Sequence, residues 1–119
     1  MLPRQTVLIV EDDEALRHVY RIALALAGYD VQEAGDGWSA LSQLDQDPPD
    51  LVVLDLGLPI MSGHVVRQEI AAGSSTRHIP IVIVTAARED LDHLNVPCVL
   101  RKPVSRNDLV ESVRNCLAS

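Results

Sequence analysis

The chain contains no phenylalanine, and its aromatic residues are Tyr20, Tyr29 and Trp38 alone. A core without large rings must be built from Val, Leu, Ile and Ala, which suits a parallel sheet buried on both faces. Basic residues are also few. Against 17 Asp and Glu stand 10 Lys and Arg, giving a formal net charge of -7 and a pI near 4.8. Nucleic acids and anionic membranes are bound through clustered cations, so this balance argues against both as partners and favours cations and basic proteins. The two cysteines, Cys98 and Cys116, lie late in the chain without the paired spacing of a metal knuckle. A disulfide framework or zinc site is therefore not expected, and both read as small apolar residues. No apolar run approaches the roughly 18 residues of a membrane span, and Met1-Leu2-Pro3-Arg4-Gln5 lacks the apolar stretch of a signal peptide. The expected compartment is the cytoplasm.

What is present is 119 residues with 47% hydrophobic content, enough for one compact domain over 1–119 and too short for a second. Three runs are apolar without alternation: Val7-Leu8-Ile9-Val10, Leu51-Val52-Val53-Leu54 and Ile79 through Val84. Such runs read as strands covered on both sides. Residues 30–34 and 98–100 are weaker candidates nearer the sheet edges. Helical spacing fills the gaps. Leu16, Tyr20, Ala23, Leu24 and Ala27 mark a first helix stopped by Gly28. Asp36-Gly37 opens a second with Trp38, Leu41 and Leu44, and Trp38 is expected in the core or half-buried. Ser62 or Gly63 starts a third, ending near Gly73. Ser105 caps a last one, with Asp108 as its capping-box partner. Between Val84 and Cys98 there is room for at most about two turns, less than the usual ten to twelve helical residues. The fold class is therefore α/β, a doubly wound five-stranded parallel sheet with a short or irregular fourth crossover.

Ligands of open parallel sheets sit beyond the carboxyl ends of the strands. Those ends carry Glu11-Asp12-Asp13, Asp55, Thr85 and Arg101-Lys102-Pro103. Each residue alone has a plain explanation: Asp13 or Asp55 can cap the next helix, Thr85 can be a strand former, and Lys102 can be solvated. Their coincidence on one rim points to a site. Two carboxylates about 4 Å apart repel by roughly 4 kcal/mol at an effective dielectric near 20, so several in one pocket require a cation or proton. An all-oxygen pocket of this kind suits Mg²⁺.

At this point the chain resembles the receiver domain of response regulators in two-component signalling, over nearly its whole length. The residues that carry the likeness are Val7 through Arg17, Val52 through Gly63 with Pro59 and Gly63 four and eight residues after Asp55, Ile81 through Ala86, and Leu100 through Pro103. The resemblance implies the flavodoxin-like strand order 2-1-3-4-5. It implies that Asp55 accepts a phosphoryl group from a phosphohistidine of a histidine kinase or histidine phosphotransfer protein. Asp12, Asp55 and the Gly57 carbonyl would ligate Mg²⁺, with Glu11 acting through water. Lys102 would hold a phosphoryl oxygen, and Thr85 would donate its hydroxyl to another after modification. Asp13 is left to solvent or the helix start. Lys102-Pro103 is a candidate cis bond, Met61 a gap filler, and Gly63 the turn into the third helix. A downstream output protein or domain completes the partners, and the chain is expected as a monomer or weak dimer that catalyses only its own phosphorylation and dephosphorylation.

Two departures stand out. The family's fifth strand commonly carries an aromatic three residues before the lysine, and here that switch position is Val99. With the short fourth crossover, output is expected through loop 86–97 in place of an aromatic switch. Gly57 and Ala87, two residues after Asp55 and Thr85, offer no side chain to aim or block water, so dephosphorylation is expected to be neither accelerated nor shielded. Ala15, His18, Val19 and Ile22 face outward on the first helix and form a candidate kinase-docking patch. His18, His64, His78 and His93 read as solvated. A dehalogenase-type phosphohydrolase wants a carboxylate where Gly57 stands, and a flavin binder wants no acidic cluster after the first strand. The remaining alternative is a receiver used only as a protein-binding scaffold.

Overall fold

The computed structural model describes residues 3–118. Five strands alternate with helices: β1 (Thr6–Val10), α1 (Glu14–Leu26), β2 (Asp30–Ala34), α2 (Gly37–Gln46), β3 (Leu51–Asp55), α3 (Gly63–Ala72), β4 (Ile81–Thr85), β5 (Cys98–Arg101) and α4 (Arg106–Ala118). The sheet has order β2-β1-β3-β4-β5, and every pairing is parallel. The doubly wound architecture expected from the sequence is thus observed. The fourth crossover contains a single 3₁₀ turn, Asp92–Leu94, in agreement with the space available.

Alternate strand residues feed two separate cores. Leu8, Val10, Val52, Leu54 and Ile83 pack with Ala40 and Leu44 of α2 and Val66 and Ile70 of α3. Val7, Ile9, Val53 and Val84 pack with Tyr20 and Leu24 of α1 and Leu109 and Val113 of α4. Because successive side chains of a strand point to opposite faces, an apolar run is needed to fill both layers.

Short polar side chains start the helices. Asp13 Oδ1 accepts from Leu16 N–H at 3.1 Å, Asp36 Oδ1 from Ser39 N–H at 2.7 Å, Ser62 Oγ from Val65 N–H at 3.4 Å and Ser105 Oγ from Asp108 N–H at 3.0 Å. Each satisfies a donor that the first turn leaves orphaned. Gly28, at φ +100°, ends α1 in the left-handed conformation.

Three details differ from expectation. Trp38 is 66% exposed, because α2 turns Gly37, Ala40 and Leu44 inward and the adjoining position then faces away. Strand β4 begins at Ile81, not Ile79. Pro80 has no N–H for the ladder, although its carbonyl accepts from Val52 N–H at 3.0 Å. The third difference is that two of the histidines are paired: His18 Nδ1 lies 2.7 Å from Arg21 Nη2, and His64 Nε2 lies 3.2 Å from Glu89 Oε1.

Ile60 adopts φ +66° with its side chain 97% exposed. For a β-branched residue this conformation costs on the order of 1–2 kcal/mol, and the exposed side chain recovers nothing by burial. Ile60→Asn is expected to raise stability by about 1 kcal/mol, seen as a higher urea midpoint with an unchanged slope. A lower midpoint would count against strain at this position.

Candidate functional site

Register assembles the site. β1 and β3 pair with Val10 opposite Leu54, so the residues that follow, Glu11 and Asp55, emerge at one edge. β4 and β5 pair with Thr85 opposite Arg101, and Lys102 N–H donates to the Thr85 carbonyl at 2.8 Å. Carboxylate oxygens of Glu11, Asp12 and Asp55 lie within 4.8 Å of one another. Glu11, Asp55 and Thr85 are buried, whereas Asp12 is exposed.

Lys102 binds this cluster together. Its Nζ donates to Glu11 Oε1 at 2.7 Å and to Asp55 Oδ2 at 3.3 Å. Burial pushes the Glu11 carboxyl up to about 6, although the Lys102 hydrogen bond opposes the shift. Burial also acts to lower Lys102, but the combined attraction of Glu11 and Asp55 outweighs it and holds the ammonium above its ordinary value. The remaining oxygens are taken by the backbone: Glu11 Oε2 accepts from Asp13 N–H at 3.2 Å, and Asp55 Oδ1 from Gly57 N–H at 2.9 Å. One ammonium against three carboxylates leaves an excess negative charge, with Asp12 open to water. An all-oxygen donor set of this charge fits a hard divalent cation better than a soft one.

The other expected residues take supporting places. Asp13 caps α1 and stays out of the cluster. Thr85 Oγ1 accepts from Ala87 N–H at 3.0 Å. Pro59 lies exposed on the β3–α3 loop between buried Leu58 and exposed Ile60, and half-buried Met61 packs on the core under α2. The Lys102-Pro103 peptide is cis, and Val99 is half-buried against the first core. Gly63 owes its place to close approach and not to a left-handed turn. A Cβ there would meet the Asp55 carbonyl oxygen at 2.2 Å and Leu56 Cα at 2.5 Å, which only glycine avoids. On α1, Ala15, His18, Val19 and Ile22 are all exposed, as expected.

Three contacts were not foreseen. Arg17 Nη1 donates to the Glu11 carbonyl at 2.8 Å while its Nε holds Glu33 Oε1 at 3.2 Å, fixing the start of the acidic segment. Arg101 straps the loop after β4, with Nη1 on the Ala87 carbonyl and Nη2 on the Glu89 carbonyl at 2.8 Å. His64 and Glu89 meet across 25 residues of chain. The cation one turn after an acidic segment was a visible signal for Arg17; no local pattern announces the other two.

The cluster predicts a pH-dependent response to loss of the ammonium. A carboxyl raised on folding takes up a proton between its ordinary 4.5 and about 6. Its contribution is therefore most favourable below that window and is lost as pH rises through it. Lys102→Met leaves Glu11 buried without its cation, at a cost of about 3 kcal/mol near pH 7.5. The deficit is expected to shrink toward pH 5, where Glu11 becomes neutral, in urea unfolding with divalent ions chelated. A deficit independent of pH would contradict this account.

The sequence profile described as the response regulator receiver domain matches residues 7–114. Among curated relatives, the chain is 36% identical to the sensory transduction protein RegX3 of Mycolicibacterium smegmatis, covering 94% of this chain and 50% of that protein. It is 35% identical to the DNA-binding dual master transcriptional regulator RpaA of Synechocystis, covering 98% of this chain and 49% of that one. The chain thus spans about half the length of the curated relatives it matches. Its fold is similar to the receiver domain of the sensor histidine kinase PA1611 of Pseudomonas aeruginosa, solved with a magnesium ion coordinated in the active-site cleft. That match has a TM-score of 0.89 and 27% identity, covering 98% of this chain and all of that one. Five parallel strands in this order, an acidic cluster at their carboxyl ends and a family match over 7–114 make the chain a member of the response regulator receiver domain family, the phosphoaccepting signalling modules of two-component systems.

Proposed function

We propose that Asp55 is the phosphoacceptor and that the chain takes its phosphoryl group from a phosphohistidine of a histidine kinase or histidine phosphotransfer protein. The observation that carries this reading is the Lys102 ammonium 3.3 Å from Asp55 Oδ2 within a three-carboxylate cluster. An Asp55 carboxylate oxygen attacks phosphorus, the O–P bond forms as the N–P bond breaks, and the departing imidazole takes a proton from solvent. Lys102 lies where it can transfer its contact to a phosphoryl oxygen and stabilise charge in the transition state. Asp12 and Asp55 would hold Mg²⁺ directly, with the Gly57 carbonyl as a further ligand. Glu11, whose two oxygens are occupied by Lys102 and Asp13 N–H, would contact it through water. When bound, the ion supplies positive charge to the phosphoryl oxygens.

Loop 86–97 carries the consequence outward in this proposal. Thr85 Oγ1 accepts from Ala87 N–H, a bond that uses a lone pair and not the hydroxyl hydrogen. Donation of that hydrogen to a phosphoryl oxygen would draw the loop inward. Val99 supplies no aromatic to report the movement, so the loop itself presents the changed surface to an output protein or domain. The exposed patch of Val19 and Ile22 on α1 is offered to the phosphodonor.

Labelling with a small phosphodonor such as acetyl phosphate is expected to depend on Mg²⁺ and to disappear in Asp55→Ala, which stays folded because the change also relieves carboxylate repulsion. At a hundred times its dissociation constant Mg²⁺ should stabilise the domain by about 2.7 kcal/mol, an effect that Asp12→Asn removes. Absence of Mg²⁺-dependent beryllium fluoride binding would favour the scaffold alternative. On beryllium fluoride binding, amide exchange in loop 86–97 is expected to change; exchange identical with and without it would refute output through this loop.

A further inference from the structure

Asp55, Gly57, Thr85 and Lys102 line a cleft of about 400 Å³, and His64 and Glu89 line it too. Gly57 and Ala87 leave that space open. Counting the two sequence neighbours alone therefore leaves out the side chains that reach the cleft from elsewhere. His64 sits in the first turn of α3, whose start is fixed against β3 by the close approach at Gly63 and the Gly63 N–H to Leu56 carbonyl bond of 3.1 Å. Glu89 comes from the loop after β4, and its backbone is held by Arg101. The two side chains join at 3.2 Å, both partly open to solvent. Of the residues lining the cleft, these two carry proton-transferring groups that the Lys102 cluster does not engage.

We infer that His64, oriented by Glu89, is the general base for hydrolysis of phosphorylated Asp55, a role that rests on the phosphoacceptor reading above. A base held by a second group is the arrangement that activates a nucleophile. In the step, a water oxygen bonds to phosphorus while the bond from phosphorus to the Asp55 carboxylate oxygen breaks. The water proton passes to a His64 ring nitrogen. Inorganic phosphate leaves, Asp55 returns as a carboxylate, and His64 releases its proton to solvent. Glu89 is a positioning residue, fixing the imidazole through the 3.2 Å contact. Lifetime control thus comes from α3 and the loop after β4, not from the positions two residues beyond Asp55 and Thr85.

The test follows the decay of the phosphoryl group by intact mass, after labelling with acetyl phosphate and Mg²⁺ and rapid removal of the donor. A positioned base contributes typically 10²–10⁴-fold, and less where the transition state is loose, so His64→Ala is expected to lengthen the half-life by about tenfold or more. His64→Asn should behave the same way, since it keeps a hydrogen-bonding group but takes up no proton. Glu89→Gln should slow decay by a smaller factor, and free imidazole should accelerate decay of His64→Ala well beyond its effect on the unaltered protein. Unchanged decay in His64→Ala, decay of His64→Asn at the unaltered rate, or equal acceleration of all forms by imidazole would overturn the inference while leaving the phosphoacceptor reading intact. Failure of the unaltered protein to be labelled would overturn both.

Discussion

The contact on which the structure depends is that of the Lys102 ammonium with Glu11 at 2.7 Å and Asp55 at 3.3 Å. It joins residues 91 and 47 positions apart, and so ties the last strand to the first and third. Without it two nearly buried carboxylates would face each other, a repulsion of roughly 4 kcal/mol at 4 Å for an effective dielectric near 20. With it, one carboxylate charge is offset while the cluster keeps enough negative charge to attract a divalent ion. The parallel register brings these groups to one edge, and the two apolar layers hold the register.

Shortening of the fourth crossover alters how that edge connects to the surface. Where a full helix would bring its own hydrogen-bond ladder, loop 86–97 relies on side chains: Arg101 on two carbonyls, Leu91 and Leu94 buried in the first core, and Glu89 on His64. Segments with few backbone bonds open at low free energy and are suited to conformational signalling. The loop is therefore tethered at a few points next to Thr85.

Much of this architecture was legible because its signals are local and redundant. The runs at 7–10 and 51–54 had to be strands covered on both sides, and Gly28, Asp36 and Ser105 marked helix ends through backbone chemistry that does not depend on tertiary context. The position of the rim residues followed from strand direction alone, whereas the roles assigned to them are what the family resemblance implies. Trp38 escaped this logic because helical spacing indicates which residues share a face, while in a helix as short as α2 the packing of Ala40 and Leu44 decides which face turns inward. The start of β4 was placed two residues early because an apolar run does not register that Pro80 lacks a donor. His64 with Glu89, and Arg101 with the loop, join side chains that belong to no shared periodicity, so only the folded chain reveals them.

The crowding at Gly63 has a mechanical meaning. With no room for even one carbon between the start of α3 and the backbone of Asp55 and Leu56, the strand that ends in Asp55 and the helix behave as a single stiff lever. A displacement beginning at Asp55 would have little slack to be absorbed on that side. It would be directed toward the Thr85 side of the cleft, which would give a signal started at Asp55 a direction before any partner arrives.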